Sequence, residues 1–122
     1  PLQRQRRIFT TLVGATLVFL VATVTASENA IASLEAKSLL KTKACGSCHF
    51  IPGVEGAYGK AGPALKNMSK RPRIISGTLQ NNTKNLKAWL KNPKSIKPGT
   101  LMPNMGLTDE EIEIIIEYLY TQ

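Results

Sequence analysis

Two cysteines, Cys45 and Cys48, stand three positions apart, and the only histidine of the chain, His49, follows at once. One-turn spacing of this kind sets two thiolates to add across the two vinyl groups of a haem, and the adjoining histidine then sits beneath the iron. Two other chemistries use a two-residue gap between cysteines, and the rest of the chain excludes both. A structural zinc takes four ligands, yet there is no second cysteine pair and no second histidine. A redox dithiol belongs in a strand–helix–strand setting, and no alternating β-branched run lies nearby. Without further cysteines there is no disulfide framework either. The expectation is one covalently attached haem c (iron), held by Cys45 and Cys48 with His49 as an iron ligand.

A single histidine rules out bis-histidine iron within one chain and directs attention to the three methionines, Met68, Met102 and Met105. Methionine ordinarily fills cores, so position has to separate them. Met102 lies in Lys97-Pro98-Gly99-Thr100-Leu101-Met102-Pro103-Asn104, a turn-rich stretch without helical period that suits a rigid loop presenting one side chain to a fixed point. Met102 is the leading candidate for the sixth ligand, Met105 the near alternative and Met68 the remote one.

The elements that must position these residues read as helices. Leu34 to Ala44 fits a helix with Ser33 as N-cap, Glu35 in its first turn and Lys41 and Lys43 towards its end, leading straight into the cysteine motif. Asn82 or Thr83 caps a second helix with Leu86, Trp89 and Leu90 on one face, and Pro93 stops it. Thr108-Asp109-Glu110-Glu111 is a capping box opening a last helix, with Ile112, Ile115, Ile116 and Leu119 at helical spacing. No segment alternates like a strand and no internal repeat is present, so the globular part is expected to be all-α.

Ahead of these lies an uncharged run, Ile8 to Ala26. As a helix it would be about 28 Å long, close to the thickness of a bilayer core. Thr10, Thr11, Thr16, Thr23 and Thr25 dilute its hydrophobicity, and Val24-Thr25-Ala26 also fits a signal-peptidase site. Secretory apolar regions are shorter, about 7 to 15 residues, which favours a retained anchor. Arg6-Arg7 has only a faint twin-arginine look, and that route exports folded proteins, whereas c-type haem is attached after export. Arg4, Arg6 and Arg7 precede the run with no matching cluster just after it, which places the N-terminus in the cytoplasm and everything beyond Ser27 outside. The expected organisation is a membrane anchor, or an uncleaved signal segment, over 1–27 and a haem domain over 28–122.

With 122 residues, seven prolines and nine glycines, the chain has room for one small loop-rich domain beyond the anchor, and a bound apolar cofactor would stabilise so small a core. The net charge is +8, with arginines at the start, acids near the end and lysines dominating between. Nucleic acid is not the expected partner, because the segment order puts the basic domain outside the cytoplasm.

The order of cysteine motif, Gly62-Pro63, Trp89, Met102-Pro103 and a terminal helix ending Glu117-Tyr118-Leu119 resembles the small monohaem class I cytochromes c, from about Ala36 to Tyr120. Gly77-Thr78-Leu79, Asn85-Leu86-Lys87-Ala88-Trp89-Leu90, Asn92-Pro93 and Ile96-Lys97-Pro98-Gly99 look especially like the cytochrome c domain fused to subunit II of some haem-copper oxidases, here without the copper domain. The resemblance implies the class I cytochrome c fold, three to five helices around one haem, preceded here by a single transmembrane helix. It implies that Met102 is the distal ligand and that the Pro63 carbonyl accepts the ring N–H of His49. It implies further that Trp89, Arg71 and Thr100 bond to or neutralise the haem propionates. The family usually has Gly where Ala36 stands and an aromatic where Leu40 stands. A methyl there should hold the first and last helices slightly apart, with Tyr118 still the large partner.

A fully ligated iron makes a carrier, not an enzyme. The leading expectation is a membrane-tethered electron carrier on the periplasmic or other extracytoplasmic face. Its lysine-rich face (Lys60, Lys66, Lys70, Lys84, Lys87, Lys94, Lys97) would dock on an acidic patch of a redox protein. Terminal oxidases, quinol–cytochrome c reductase-type complexes and photosynthetic reaction centres are the partners in view. A fixed accessory subunit of a respiratory or photosynthetic membrane complex is the second reading. An enzyme or gas sensor with an open sixth position, which requires Met102 not to bind, comes last.

Overall fold

The computed structural model describes residues 26–122. The expected anchor over 1–27 therefore lies almost wholly outside the described residues, and no described helix is long and apolar enough to cross a membrane. Ser33–Gln122 forms one compact unit.

The first helix, α1, covers 26–42 in its described part. It runs through Ser33 without a break, so Ser33 is not its N-cap. Ala26, Glu28, Ala30 and Ala32 are all good helix formers, and propagating a helix through such residues is easier than starting one at a serine. The C-terminal end comes at Thr42, two residues earlier than expected, because Ala44 adopts a left-handed φ of 53°. Ala36 and Leu40, one turn apart, are both 1% exposed. The substitutions at these two positions have thus been absorbed into the core, in the same cluster as Tyr118.

A single 3-10 turn over Cys45–Ser47 follows, and then a long loop to a second such turn at Met68–Lys70. Two short strands, β1 (Arg73–Ile74) and β2 (Leu79–Gln80), pair antiparallel with Arg73 opposite Gln80 and Ile74 opposite Leu79. This pair is a local departure from the all-α expectation in a unit that is otherwise mostly helical. Strands two residues long cannot show an alternating pattern, and the turn between them is set by positive φ at Ile75, Ser76 and Gly77 and cinched by the Arg73 side chain, which donates to the Gly77 and Thr78 carbonyls.

Helix α2 (Thr83–Lys91) is capped by Asn82, whose side chain accepts the Asn85 N–H at 2.8 Å. It ends just before Pro93, which is buried and opens the short helix α3 (Pro93–Ile96). The last helix, α4 (Asp109–Thr121), carries the expected capping box: Thr108 accepts the Glu111 N–H at 3.1 Å, and Glu111 accepts the Thr108 N–H at 2.9 Å. Its Ile112, Ile115, Ile116 and Leu119 are all buried, packing against α2 and the Met68–Lys70 turn. Lys87–Glu113 and Lys91–Asp109 ion pairs, each 2.8 Å, run along the α2–α4 seam.

Candidate haem site

His49 follows directly on the 3-10 turn that carries Cys45, and its backbone N–H donates to the Cys45 carbonyl at 3.0 Å. Its imidazole Nδ1–H donates to the Pro63 carbonyl at 2.7 Å. A carbonyl can only accept, so this bond fixes the tautomer and leaves Nε2 with its lone pair free to bind a metal. The expected partner of the ring N–H is therefore in place.

The loop that brings Pro63 there lies tightly on the cysteine motif. Gly59 N–H donates to the Gly46 carbonyl at 3.0 Å, and Gly62 N–H to the Cys48 carbonyl at 2.7 Å. A Cβ on Gly59 would stand 2.6 Å from the backbone nitrogens of both Cys48 and His49, and one on Gly62 would stand 2.7 Å from Nδ1 of His49. Both approaches need glycine. Gly59 was missed in the sequence, although glycines at 53, 56, 59 and 62 recur every third residue just after the motif. Also unforeseen is the Tyr118 hydroxyl, which donates to the Pro52 carbonyl at 2.7 Å and ties α4 to the same loop.

Cys45 is half-buried and Cys48 exposed. Burial pushes the Cys45 thiol up.

On the other side of the sequence, Met102 is half-buried and packs against the core, as does Met105. Met68 is 3% exposed and belongs to the core itself. The Thr100 hydroxyl oxygen accepts the Met102 N–H at 3.2 Å, so Thr100 shapes the backbone that presents Met102. Trp89 is half-buried against the core, and among the described residues no hydrogen bond joins it to the other site residues. Arg71 is drawn to the Pro63 loop: its guanidinium donates to the carbonyls of Ala64 at 2.6 Å and Lys66 at 2.9 Å.

Two cysteine side chains one turn apart, an imidazole with one nitrogen committed and the other available, and a half-buried thioether form a donor set that fits haem c. Cys45 and Cys48 would hold the porphyrin, with His49 and Met102 as the candidate axial ligands.

Comparison with known proteins agrees. The cytochrome c family model matches residues 33–122. Cytochrome c oxidase subunit 2 of Alkalihalophilus pseudofirmus is 36% identical over 86 residues, covering 70% of this chain and 24% of that protein. A nitric oxide reductase subunit of Paracoccus denitrificans is 33% identical over 87 residues, 70% of this chain and 55% of the relative. Cytochrome c2 iso-2 of Magnetospirillum molischianum is 33% identical over 87 residues, 63% of this chain and 89% of the relative. The chain thus spans about a quarter of the oxidase subunits it matches and nearly the whole of a small cytochrome. Because the match begins at α1 and ends at the last residue, it takes in every group that holds His49 in place, and the chain belongs to the cytochrome c family of electron-transfer proteins, with haem c bound covalently.

Proposed function

We propose that this chain is a membrane-anchored c-type cytochrome that passes single electrons between redox proteins of a respiratory or photosynthetic chain and is not itself an enzyme. The observation that carries the reading is the Nδ1–H of the sole histidine held on the Pro63 carbonyl, which dedicates Nε2 to a metal. Haem supplies the one-electron couple. Cys45 and Cys48 would retain it, and His49 and Met102, the latter presented by the Thr100 turn, would bind its iron. Trp89, Arg71 and Thr100 are the residues proposed to meet its propionates.

A thioether together with an imidazole would favour the ferrous state and leave the iron no place for a substrate. Met102→Ala should abolish the charge-transfer band of methionine-ligated ferric haem while the haem stays attached. An unchanged band would assign the position to another group, with Met105 the next to be replaced.

In this reading the run Ile8–Ala26 spans the membrane, the N-terminus is cytoplasmic and residues 28–122 carry the haem on the extracytoplasmic face. Docking uses the lysines. Lys87 is removed from the docking set by its pairing with Glu113, leaving Lys60, Lys66, Lys70, Lys84, Lys94 and Lys97, none of which forms an ion pair among the described residues. Electron transfer to an acidic partner should therefore slow steeply as salt rises, within the roughly 10- to 10³-fold range of electrostatic steering.

A fixed subunit of a larger membrane complex is the second reading, supported by relatives that are subunits of oxidase and nitric oxide reductase. Mild detergent extraction separates the two. A subunit stays with its complex in high salt, and a tethered carrier leaves.

A further inference from the structure

The hydrogen bond that aims His49 depends on the orientation of the Pro63–Ala64 peptide, and several side chains far apart in sequence converge on that segment. On its N-terminal side it is pinned by Gly62 N–H to the Cys48 carbonyl (2.7 Å), and on its C-terminal side by Leu65 N–H to the Phe50 carbonyl (2.8 Å). The carbonyl directly after the one that meets His49, that of Ala64, is taken by Arg71 at 2.6 Å, and the same guanidinium nitrogen also holds the Lys66 carbonyl at 2.9 Å. The Arg71 backbone is fixed in turn. Asn81 donates through its amide to the Met68 carbonyl at 2.7 Å and the Arg71 carbonyl at 2.8 Å, and its backbone N–H donates to the Pro72 carbonyl at 3.0 Å. The Asn81 side-chain oxygen accepts the Tyr120 hydroxyl at 3.1 Å, which ties the assembly to α4.

We propose that Arg71 is a positioning residue for the iron ligand: with Asn81 and Tyr120 behind it, it locks the Pro63 carbonyl onto the Nδ1–H of His49 and so sets the electron donation of that imidazole and the reduction potential of the domain. The proposal rests on His49 ligation. A firmly held carbonyl makes the imidazole a stronger donor and favours ferric iron, so loosening the carbonyl raises the potential. Both bonds leave one outer guanidinium nitrogen; the lysine ammonium sits one bond closer to its own backbone, so it keeps the charge but falls short of both carbonyls.

This geometry predicts a sign that a purely electrostatic role does not. If Arg71 acted on the haem only through its positive charge, Arg71→Lys would leave the potential unchanged and Arg71→Gln would lower it, because a nearby cation disfavours ferric iron. If it acts as a brace, Arg71→Lys raises the potential despite retaining the charge.

The test uses full-length holoprotein with Arg71→Lys, Arg71→Gln and Tyr120→Phe, reading the His49 Nδ1–H proton resonance in the ferrous state together with the reduction potential. The expected result is an upfield move of that resonance in both Arg71 variants, a raised potential in Arg71→Lys, and smaller changes of the same sign in Tyr120→Phe. An unmoved resonance, or an unchanged potential in Arg71→Lys with a lowered one in Arg71→Gln, overturns it. Should the Arg71 variants fail to mature, Tyr120→Phe decides alone: a shifted resonance supports the brace and an unshifted one overturns it. If His49 does not bind iron at all, its ring resonances in the unsubstituted protein lack the displacement a bound haem imposes, so that failure is visible before any substitution is made.

Discussion

The His49 side and the Met102 side of the domain are built in different ways. Around His49 the chain is held from several directions: by the 3-10 turn behind it, by Gly59 and Gly62 pressed against it, by Pro63 on its ring and by Tyr118 reaching across from α4. Around Met102 the hydrogen bonds are local. Thr100 N–H closes a turn on the Lys97 carbonyl at 2.9 Å, Met102 N–H bonds to Thr100, and Gly106 N–H bonds to the Asn104 side chain at 2.9 Å. Leu101, next to Met102, is 95% exposed. His49 is held by hydrogen bonds from distant parts of the chain, Met102 by packing against the core and by hydrogen bonds within its own loop, so the two sides should respond differently to the same kind of substitution.

Glycine replacement sharpens that comparison most. Gly62→Ala drives a methyl into the His49 ring, and Gly59→Ala drives one into backbone that cannot give way. Each should destabilise by about 1–3 kcal/mol or more. Thermal melting of the holoprotein should fall by at least ~4 °C; an unchanged midpoint would break the picture of a tightly packed His49 side. Next in size, Tyr118→Phe removes the hydroxyl that holds the Pro52 carbonyl and should cost about 0.5–1.5 kcal/mol in urea unfolding.

On the Met102 side, Gly99 has nothing within 4 Å of where a Cβ would go and no positive φ. Gly99→Ala should be neutral or stabilise by about 0.4–1 kcal/mol, read in the same unfolding experiment.

The smallest effect concerns the start of α4, where Lys91 closes on Asp109 and on the Leu107 carbonyl at the end of the Met102 loop. Hydrogen bonding from Lys91 holds the Asp109 carboxyl below its ordinary 3.8, and the Thr108 N–H and Lys43 hold that of Glu111 below 4.5. Carboxylates held down in this way stabilise the fold fully above those ordinary values, and the contribution is lost as pH falls through the folded values. Melting should therefore drop below about pH 4.5, and Asp109→Asn should flatten that drop. A melting temperature that rises on acidification would contradict the sign.

Much of the fold was legible because the signals were local. The capping box at Thr108 and the isoleucines of α4 lie within a few residues of one another, and the helix they predict is the one observed. Where α1 ends was less legible, since Ala44 in a left-handed conformation carries no compositional mark. The β1–β2 pair was invisible because it depends on a turn with positive φ at an isoleucine and a serine, residues that rarely adopt it. Similarly, Lys87 reads as a free surface lysine until α2 and α4 are packed and Glu113 comes to meet it.

By itself the sequence determined the haem attachment: two thiols one turn apart with the only histidine directly after them are covalent facts with few alternative uses. Tertiary structure alone decided what braces the Pro63 segment and the motif around His49, because Arg71, Asn81, Tyr118 and Tyr120 come together with them only after the chain has folded back on itself. Hydrogen bonds spanning 7 to 66 residues leave no periodic trace in composition, since each partner answers to a geometry set by elements elsewhere in the chain.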